Sequence, residues 1–372
     1  MIINCEKQAL YEMVSTASRA VSGKMATPTL EGVLICATKK DLGGMIKISG
    51  YNLEIGITAE ANCNVIEGGE LVINAKLFSD ILRNMPAGTV TLSSNDKNIV
   101  ELKCGSTEYS ILGMNAKDYP QLPGDADIDA EITLNGGMLK SMISQTLFAV
   151  ATIDTRPALT GVKFIFEDNL LTMVSLDGYR LAVRKEAVDY SGSKTFIVPG
   201  KTLSEISRMV SGDDEENVVL KVTKRHIIFE VKEYSVITRL LEGEFLDHKK
   251  AIPSGGSTTV EVDTRTMIGS VERTSPIIDD RLRSHIKVDF ADGFITSACT
   301  TTIGRAYDKI ECKIYGENVS VGFSNHYLLD ALKAADCDMV KIVINGPLSP
   351  VKIMPPEGDS FLFLVVPVKL KS

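Results

Sequence analysis

The sequence contains no tryptophan, and its seven cysteines and four histidines are scattered along 372 residues. No two cysteines have C-x-x-C spacing, so reduced thiols are expected in place of a zinc ribbon or a disulfide framework. No histidines have H-E-x-x-H spacing, and no Ser/His/Asp set can be placed. The sequence therefore predicts no metal site, no catalytic residues and no cofactor.

Long apolar runs are also missing. Although 44% of the residues are hydrophobic, no run approaches the roughly 20 residues of a membrane span. The opening MIINCEKQALYEM lacks the basic lead and apolar core of a signal peptide. A soluble, cytoplasmic protein without membrane contact is expected. An excess of positive charge is missing too, since the net charge is −8, which argues against indiscriminate nucleic-acid binding.

Most of the chain consists of short alternating strands such as VKFIFEDN and NVVLKV. Between them, six stretches have apolar residues at helical spacing and form two groups of three. The first group comprises 9–21, 138–150 and 266–278, and the second comprises 75–85, 200–210 and 325–335. Lys76, Lys201 and His326 hold the same place in the second group, at intervals of 125 residues.

A period near 125 residues is too long for a solenoid and indicates three copies of one domain. Turn-rich DYPQLPGDAD and IPSGGSTT mark the joints, so domains are predicted at 1–123, 124–252 and 253–372. Each copy is predicted to be an α+β domain with antiparallel sheets. Two helices cannot cover both faces of a sheet, so they should lie on one face and leave the other to solvent.

The predicted helices differ in charge from the rest of the chain. Counted over 5–22, 75–85, 136–150, 200–210, 265–274 and 325–335, they carry +4 together, which leaves −12 elsewhere in a chain of net charge −8. A mildly basic helical surface suits loose contact with phosphates without base reading. Ordinary solvated helix faces explain the same count equally well.

Several segments, in this order and spacing, carry a family resemblance: RPALTGVKFIFEDN, MVSLDGYRLAVRK with its D-G-Y-R-L turn, FIVPGKTLSEI, LEGEFLDHKKAIP and the ending VVPVKL. Over essentially the whole chain they resemble the bacterial sliding clamps, the beta subunits of DNA polymerase III. The resemblance implies three tandem DNA-clamp domains, with antiparallel sheets outside and two helices per domain inside. It also implies a ring formed by a homodimer, which encircles duplex DNA without sequence specificity and tethers a polymerase without covalent chemistry.

The resemblance further implies a hydrophobic pocket for short peptides bearing Gln, Leu and Phe. Its partners would be the replicative DNA polymerase alpha subunit, the clamp loader, other polymerases and repair proteins. The matching pocket positions are Leu176, Gly178, Tyr179, Arg180, Leu181, Leu246, Ala251, Leu348, Pro350, Val365, Val366, Pro367, Val368 and Lys369. Tyr179 and Leu246 depart from the histidine and proline common there, and the tail continues past Leu370.

Two further surfaces follow from the resemblance. The DNA-contacting positions that match are Lys24, Lys76, Arg83, Arg156, Lys201, Arg208 and Lys250. Arg281 and Arg283 are added because of their charge in a loop of the third domain. The expected dimer interface joins Tyr109 and Ile111 of the first domain to Ile277 and Ile278 of the third, by pairing of edge strands.

Two motifs suggest other kinds of site, a phosphate loop and a metal site. VPGKTLSE suggests a phosphate loop, but position 195 is Thr where that motif requires Gly, so a helix start is favoured. The acidic runs at 213–216 and 279–280 lack the periodicity of metal ligands and are expected to be solvated loops. A nucleotide-using transferase and a peptide-binding scaffold that does not bind DNA remain the alternative functions.

Overall fold

The computed structural model describes residues 1–23, 27–40, 43–124, 127–153, 156–213, 215–278 and 285–370. The helices are α1 (Lys7–Ala17), α2 (Ala75–Asn84), α3 (Gly136–Leu147), α4 (Gly200–Met209), α5 (His248–Ala251), α6 (Thr264–Thr274) and α7 (Asn325–Ala334). The chain divides into two compact units, Met1–Gly136 with Arg208–Leu240, and Gly137–Ser207 with Leu241–Ser372. The middle third of the chain therefore contributes to both units.

Twenty-six strands make up most of the other described residues. The strands of the first third are β1 (Ile2–Glu6), β2 (Gly32–Lys39), β3 (Gly44–Tyr51), β4 (Ile55–Asn62), β5 (Asn64–Glu67), β6 (Gly69–Asn74), β7 (Thr89–Ser94), β8 (Ile99–Cys104) and β9 (Thr107–Leu112). Those of the middle third are β10 (Ala130–Asn135), β11 (Gly161–Glu167), β12 (Leu170–Leu176), β13 (Arg180–Ala187), β14 (Lys194–Pro199), β15 (Asn217–Val222), β16 (His226–Val231) and β17 (Tyr234–Arg239). Those of the last third are β18 (Thr258–Asp263), β19 (Ile286–Ala291), β20 (Phe294–Thr301), β21 (Gly304–Glu311), β22 (Lys313–Gly316), β23 (Val319–Phe323), β24 (Met339–Ile344), β25 (Val351–Met354) and β26 (Phe361–Val365).

The six predicted helices are confirmed, with small shifts at their ends. The second group matches α2, α4 and α7 to within one residue. The first group begins two residues earlier than predicted, because side-chain carboxylates cap two of these helices. Glu6 accepts the Ala9 N–H at 2.8 Å, and Asp263 accepts the Thr266 N–H at 2.7 Å. A carboxylate at this position satisfies N–H groups that have no partner within the helix.

Helices α1 and α2 pack their apolar stripes onto the sheets. Leu10, Met13 and Val14 of α1 are buried in one core with Phe78 and Leu82 of α2 and with strands β1 to β3. Strand β8 alternates strictly between exposed and buried residues, as expected for a sheet with one solvated face. The predicted α+β class, with few helices on antiparallel sheets, is confirmed.

In the part of the chain that the structure describes, the strands form four antiparallel sheets. In order, they are β5-β1-β7-β8-β9, then β10-β15-β16-β17-β4-β3-β2-β6, then β14-β11-β12-β13-β26-β25-β24-β18-β22, and β21-β20-β19-β23. The two large sheets each join strands from two successive thirds of the chain. β17 pairs with β4 in the first unit, and β26 pairs with β13 in the second.

All seven cysteines are free thiols, as the spacing predicts. Burial is the main reason that the pKa of Cys5 rises to about 11, with smaller contributions from Cys63 and Glu6. This thiol therefore stays protonated at neutral pH. Among the described residues, no helix is long and apolar enough to cross a membrane.

One expectation about the acidic runs is wrong. Glu216 is not solvated, because its carboxylate accepts the N–H of Ser211 at 2.7 Å and lies 3.1 Å from Lys232 Nζ. Burial alone would raise the pKa of Glu216, but the hydrogen bonds from Ser211 and the ion pair with Lys232 lower it. Residues 279 and 280 of the other acidic run lie outside the described ranges.

Gly50 marks a close approach between β3 and the end of α1. A Cβ at Gly50 would lie 2.0 Å from the carbonyl oxygen of Ala17, and a backbone atom cannot easily move away. We expect Gly50→Ala to lower the free energy of unfolding by about 2 kcal/mol, measured by urea unfolding. Gly124→Ala is the control, since nothing lies within 4 Å of a Cβ there. Equal unfolding midpoints for both variants would contradict this account.

Candidate functional site

The turn between β12 and β13 is held by its own aspartate. Asp177 Oδ1 accepts the N–H groups of Tyr179 and Arg180, both at 2.9 Å. Gly178 has φ +90°, a left-handed conformation that glycine adopts without steric cost. The turn leaves the Tyr179 side chain projecting from the surface, with the residue 60% exposed.

Arg180 ties this turn to helix α7. Its Nε donates to Asp177 Oδ2 at 3.0 Å, and its Nη1 donates to Asp330 Oδ2. The guanidinium also lies over the rings of Tyr327, at 4.7 Å, and Phe148, at 5.7 Å. Tyr179 stacks on the same Tyr327 ring with centroids 5.8 Å apart.

The register of three adjacent strands brings distant segments to one place. Arg180 at the start of β13 is opposite Val365 at the end of β26, and Val365 is opposite Val351 at the start of β25. Because neighbouring strands lie about 4.8 Å apart, the turn, the chain before Val351 and the chain after Val365 are adjacent. These are three of the four segments that the resemblance assigns to the pocket.

The fourth segment packs on the same apolar cluster. Leu176 and Leu181 are buried in a cluster with Leu364, and Phe245 and Ile252 pack against it from either end of the segment 246–251. We call the surface formed by segments 176–181, 246–251, 348–350 and 365–369 the cleft. Its Leu176, Leu181 and Val365 are buried, whereas Leu246 and Leu348 are 42% and 65% exposed. Gly178 and Ala251 are also exposed, and Arg180, Pro350, Val366, Pro367 and Val368 are half-buried.

The segment 246–251 is fixed from both sides. Asp247 caps α5 by accepting the Lys249 N–H at 3.1 Å, and His248 is buried. Burial, together with the nearby Lys163, lowers the pKa of His248, so this side chain is neutral at pH 7. After α5, Lys352 Nζ donates to the carbonyls of Pro253 and Gly255 at 3.2 and 2.7 Å.

The C-terminal tail runs from β26 across β23. The Val366 N–H donates to the Tyr179 carbonyl at 2.8 Å, and the Val368 N–H donates to the Gly322 carbonyl at 2.9 Å. The tail is thus hydrogen-bonded both to the turn of the middle repeat and to β23 of the last repeat. Lys369, the last of the predicted pocket positions, is exposed.

The predicted DNA-contacting residues recur in equivalent helices. Lys76 and Arg83 are exposed on α2, and Lys201 and Arg208 are exposed on α4. Each pair is seven residues apart, which places both members on one helix face. Arg83 forms an ion pair with Asp80 at 2.6 Å.

Two further predicted DNA contacts, Arg156 and Lys250, lie on a loop and on α5. Arg156 is exposed and precedes a single 3₁₀ turn at Pro157–Thr160. Lys250 is exposed and lies 3.6 Å from Asp247. Lys24, Arg281 and Arg283 lie outside the described residues.

The predicted interface residues lie on or beside two sheet edges. Tyr109 and Ile111 are half-buried on β9, the edge of the first sheet. Ile277 and Ile278 follow α6, whose Arg273 donates two hydrogen bonds to Asp308 on β21, at 2.9 and 2.8 Å. The hydrogen bonds from Arg273 are the main cause of the lowered pKa of Asp308.

A threefold repeat of two helices on antiparallel sheets, with strand pairing between successive repeats, defines the DNA-clamp class. Three family models match the chain, described as the N-terminal, central and C-terminal domains of the DNA polymerase III beta subunit, over residues 1–123, 133–247 and 249–369. The chain belongs to the DNA polymerase III beta subunit family, the sliding clamps.

Individual relatives align with this chain over nearly its whole length. The chain is 29% identical to the beta sliding clamp of Bacillus subtilis over 378 residues, covering 99% of this chain and 100% of that one. It is 31% identical to the beta sliding clamp of Staphylococcus aureus over 358 residues, covering 94% of each. The crystal structure of the Bacillus subtilis clamp superposes with a TM-score of 0.94 at 28% identity and full coverage of both chains. That of the Streptococcus pneumoniae beta chain gives 0.92 at 26% identity, with 99% and 100% coverage.

Gly322 provides a test of how the tail is seated. A Cβ at Gly322 would lie 2.6 Å from the Val368 carbonyl oxygen and 2.7 Å from Leu370 Cδ2. We expect Gly322→Ala to push the tail off β23, so that the Val368 amide exchanges roughly tenfold faster in hydrogen–deuterium exchange. Gly124→Ala is the control, because nothing lies within 4 Å of a Cβ there and its φ is not in the left-handed region. Unchanged protection of residues 366–370 would show that the tail is held in another way.

Proposed function

We propose that two copies of this chain join head to tail into a closed ring around duplex DNA. The ring carries the replicative polymerase through the cleft and so confers processivity without chemistry of its own. Such a clamp acts where the bacterial chromosome is copied, in the cytoplasm. The domains proposed for it are 1–123, 124–252 and 253–372.

The observation that carries this proposal is the recurrence of one strand joint. In each repeat, the fourth strand (β4, β13 or β21) and the last strand (β9, β17 or β26) hold equivalent places. Within the chain, β4 pairs with β17, and β13 pairs with β26. Within the described part of the chain, β21 and β9 are edge strands, whereas β4 and β13, equivalent to β21, pair with β17 and β26, equivalent to β9. A second copy offers each of them the missing partner.

The backbone of both edges is suited to such pairing. Gly113 donates its N–H to Asn98 at 2.8 Å, and Cys312 donates to Gly293 at 3.0 Å. Because N–H groups alternate along a strand, those of Ser110 on β9 and Tyr307 on β21 point away from their own sheets. Exposed Glu108 on β9 and Lys309 on β21 are of opposite charge, which favours pairing of unlike edges.

Duplex DNA is the ligand proposed for the helices. The exposed Lys and Arg pairs of α2 and α4 supply phosphate contacts that carry no sequence information. Each such contact contributes little by itself, which suits a protein that must slide. The acidic remainder of the chain would repel DNA from the other surfaces.

The cleft is proposed as the site that binds partner proteins. Tyr179, Leu246 and Leu348 are exposed beside a buried apolar cluster, and anchoring a few apolar side chains on such a surface is an efficient mode of peptide recognition. Short segments bearing Gln, Leu and Phe would bind there. They would come from the polymerase alpha subunit, the clamp loader, other polymerases and repair proteins.

Ser110→Pro tests the joint between two copies. Proline removes the N–H that points away from β8 and leaves the pairing with β8 intact. We expect the dimer to dissociate at least about tenfold more readily, since an interface hydrogen bond is lost and the proline ring obstructs the partner strand. Analytical ultracentrifugation measures the dissociation constant.

The matched control for this experiment is Ser110→Ala, which keeps the N–H group and should leave the dimer unchanged. A dimer of normal strength in Ser110→Pro would assign the contact to another surface. A chain that is monomeric at all concentrations would overturn the ring.

Lys201→Glu combined with Arg208→Glu tests the DNA surface. If both side chains contact phosphates, the slope of log affinity for duplex DNA against log salt should fall by about two. Lys224→Glu with Arg225→Glu is the control, because it changes the charge equally at an exposed hairpin between β15 and β16. Fluorescence polarisation with a labelled duplex gives the slopes. Equal slopes for both double variants, with the dimer intact, would show that α4 does not face DNA.

A further inference from the structure

We propose that Asp330 is a positioning residue for the cleft, which acts on the turn 177–180 through the guanidinium of Arg180. The inference rests on the proposed function of the cleft and deepens it. Asp330 belongs to α7 and stands 150 residues from Arg180 in sequence. None of the four segments that form the cleft contains it.

Arg180 holds the turn from two sides at once. It bridges Asp177 within the turn and Asp330 on α7, while its side chain is only 14% exposed. The rings of Tyr327 and Phe148 lie against the guanidinium. A planar guanidinium that bonds two carboxylates and contacts two rings has a single orientation. The backbone of residues 179 and 180 is fixed with it.

Comparison of α2 with α7 shows that the first and last repeats use this carboxylate differently. Asp80 holds the equivalent place on α2 and pairs with Arg83, one turn along the same helix. On α7 the equivalent cation is Lys333, which pairs instead with Glu272 of α6 at 2.6 Å. The carboxylate of Asp330 therefore bonds to Arg180, a residue of the middle repeat that belongs to the turn.

The consequence for binding is preorganisation. Tyr179 is the most exposed side chain of the turn, and its position depends on stacking with Tyr327 of the same helix α7. A peptide that anchors beside Tyr179 gains affinity when the turn is ordered before binding. Removing the charge at residue 330 leaves Arg180 with one carboxylate, so the peptide must order the turn itself.

The experiment measures fluorescence polarisation of a labelled Gln-Leu-x-Leu-Phe peptide with full-length chains. We expect Asp330→Asn to bind roughly five- to tenfold more weakly, because the ion pair with Arg180 becomes a hydrogen bond to an uncharged amide. Asp330→Glu should recover most of the affinity. Asp80→Asn is the matched control, since it removes the equivalent carboxylate from α2, and it should bind like the original chain.

A double-mutant cycle separates positioning from general destabilisation. In an Arg180→Gln background, Asp330→Asn should cause no further loss, because its effect requires the guanidinium. Thermal unfolding midpoints of all variants would be compared, and a merely structural role would give additive losses that follow the midpoints. Additive losses, or an Asp330→Asn variant that binds normally, would overturn the inference alone. An intact, folded chain that fails to bind the peptide would overturn the cleft as well.

Discussion

Pairing of strand edges between successive repeats is the interaction on which the rest of the structure depends. An exposed sheet edge presents a row of unpaired N–H and C=O groups, and the joints β17 with β4 and β26 with β13 satisfy them inside the chain. The second joint also places Val365 opposite Arg180, so the tail that follows Val365 lies beside the turn. The cleft therefore exists because two repeats share one sheet.

Sequence reasoning reached the helices and the threefold repeat because both are local or periodic signals. The apolar stripe of α1, from Leu10 to Ala17, follows the helical period closely enough to mark the element. The first residues of α1 and α6 could not be predicted as well, because Glu6 and Asp263 cap these helices through hydrogen bonds that the apolar period does not reveal. The expectation that Glu216 is solvated is wrong because a run of acidic residues does not show that one of their carboxylates is buried and accepts a hydrogen bond from Ser211.

The candidate site was available from the sequence only through resemblance. Nothing local places Val351 beside Val365, or Asp330 against Arg180, because these contacts depend on register and helix placement across long stretches of chain. The supporting residues His248, Lys352, Tyr327 and Phe148 were missed for the same reason. Each is an ordinary residue in its own segment and acquires its role only where segments meet. The helical spacing of 325–335 and the interval of 125 residues between Lys76, Lys201 and His326 indicate α7 itself, but neither places Asp330 against Arg180.

The repeated joint has a consequence for assembly size. In the assembly proposed above, β9 of one copy pairs with β21 of the next, and a head-to-tail interface of this kind gives a closed ring or an open filament according to the rotation between neighbours. That rotation is set by the twist of the strands at each joint. A substitution that altered the twist where β17 meets β4 would therefore change how many copies close the assembly, even if every contact between copies kept its strength.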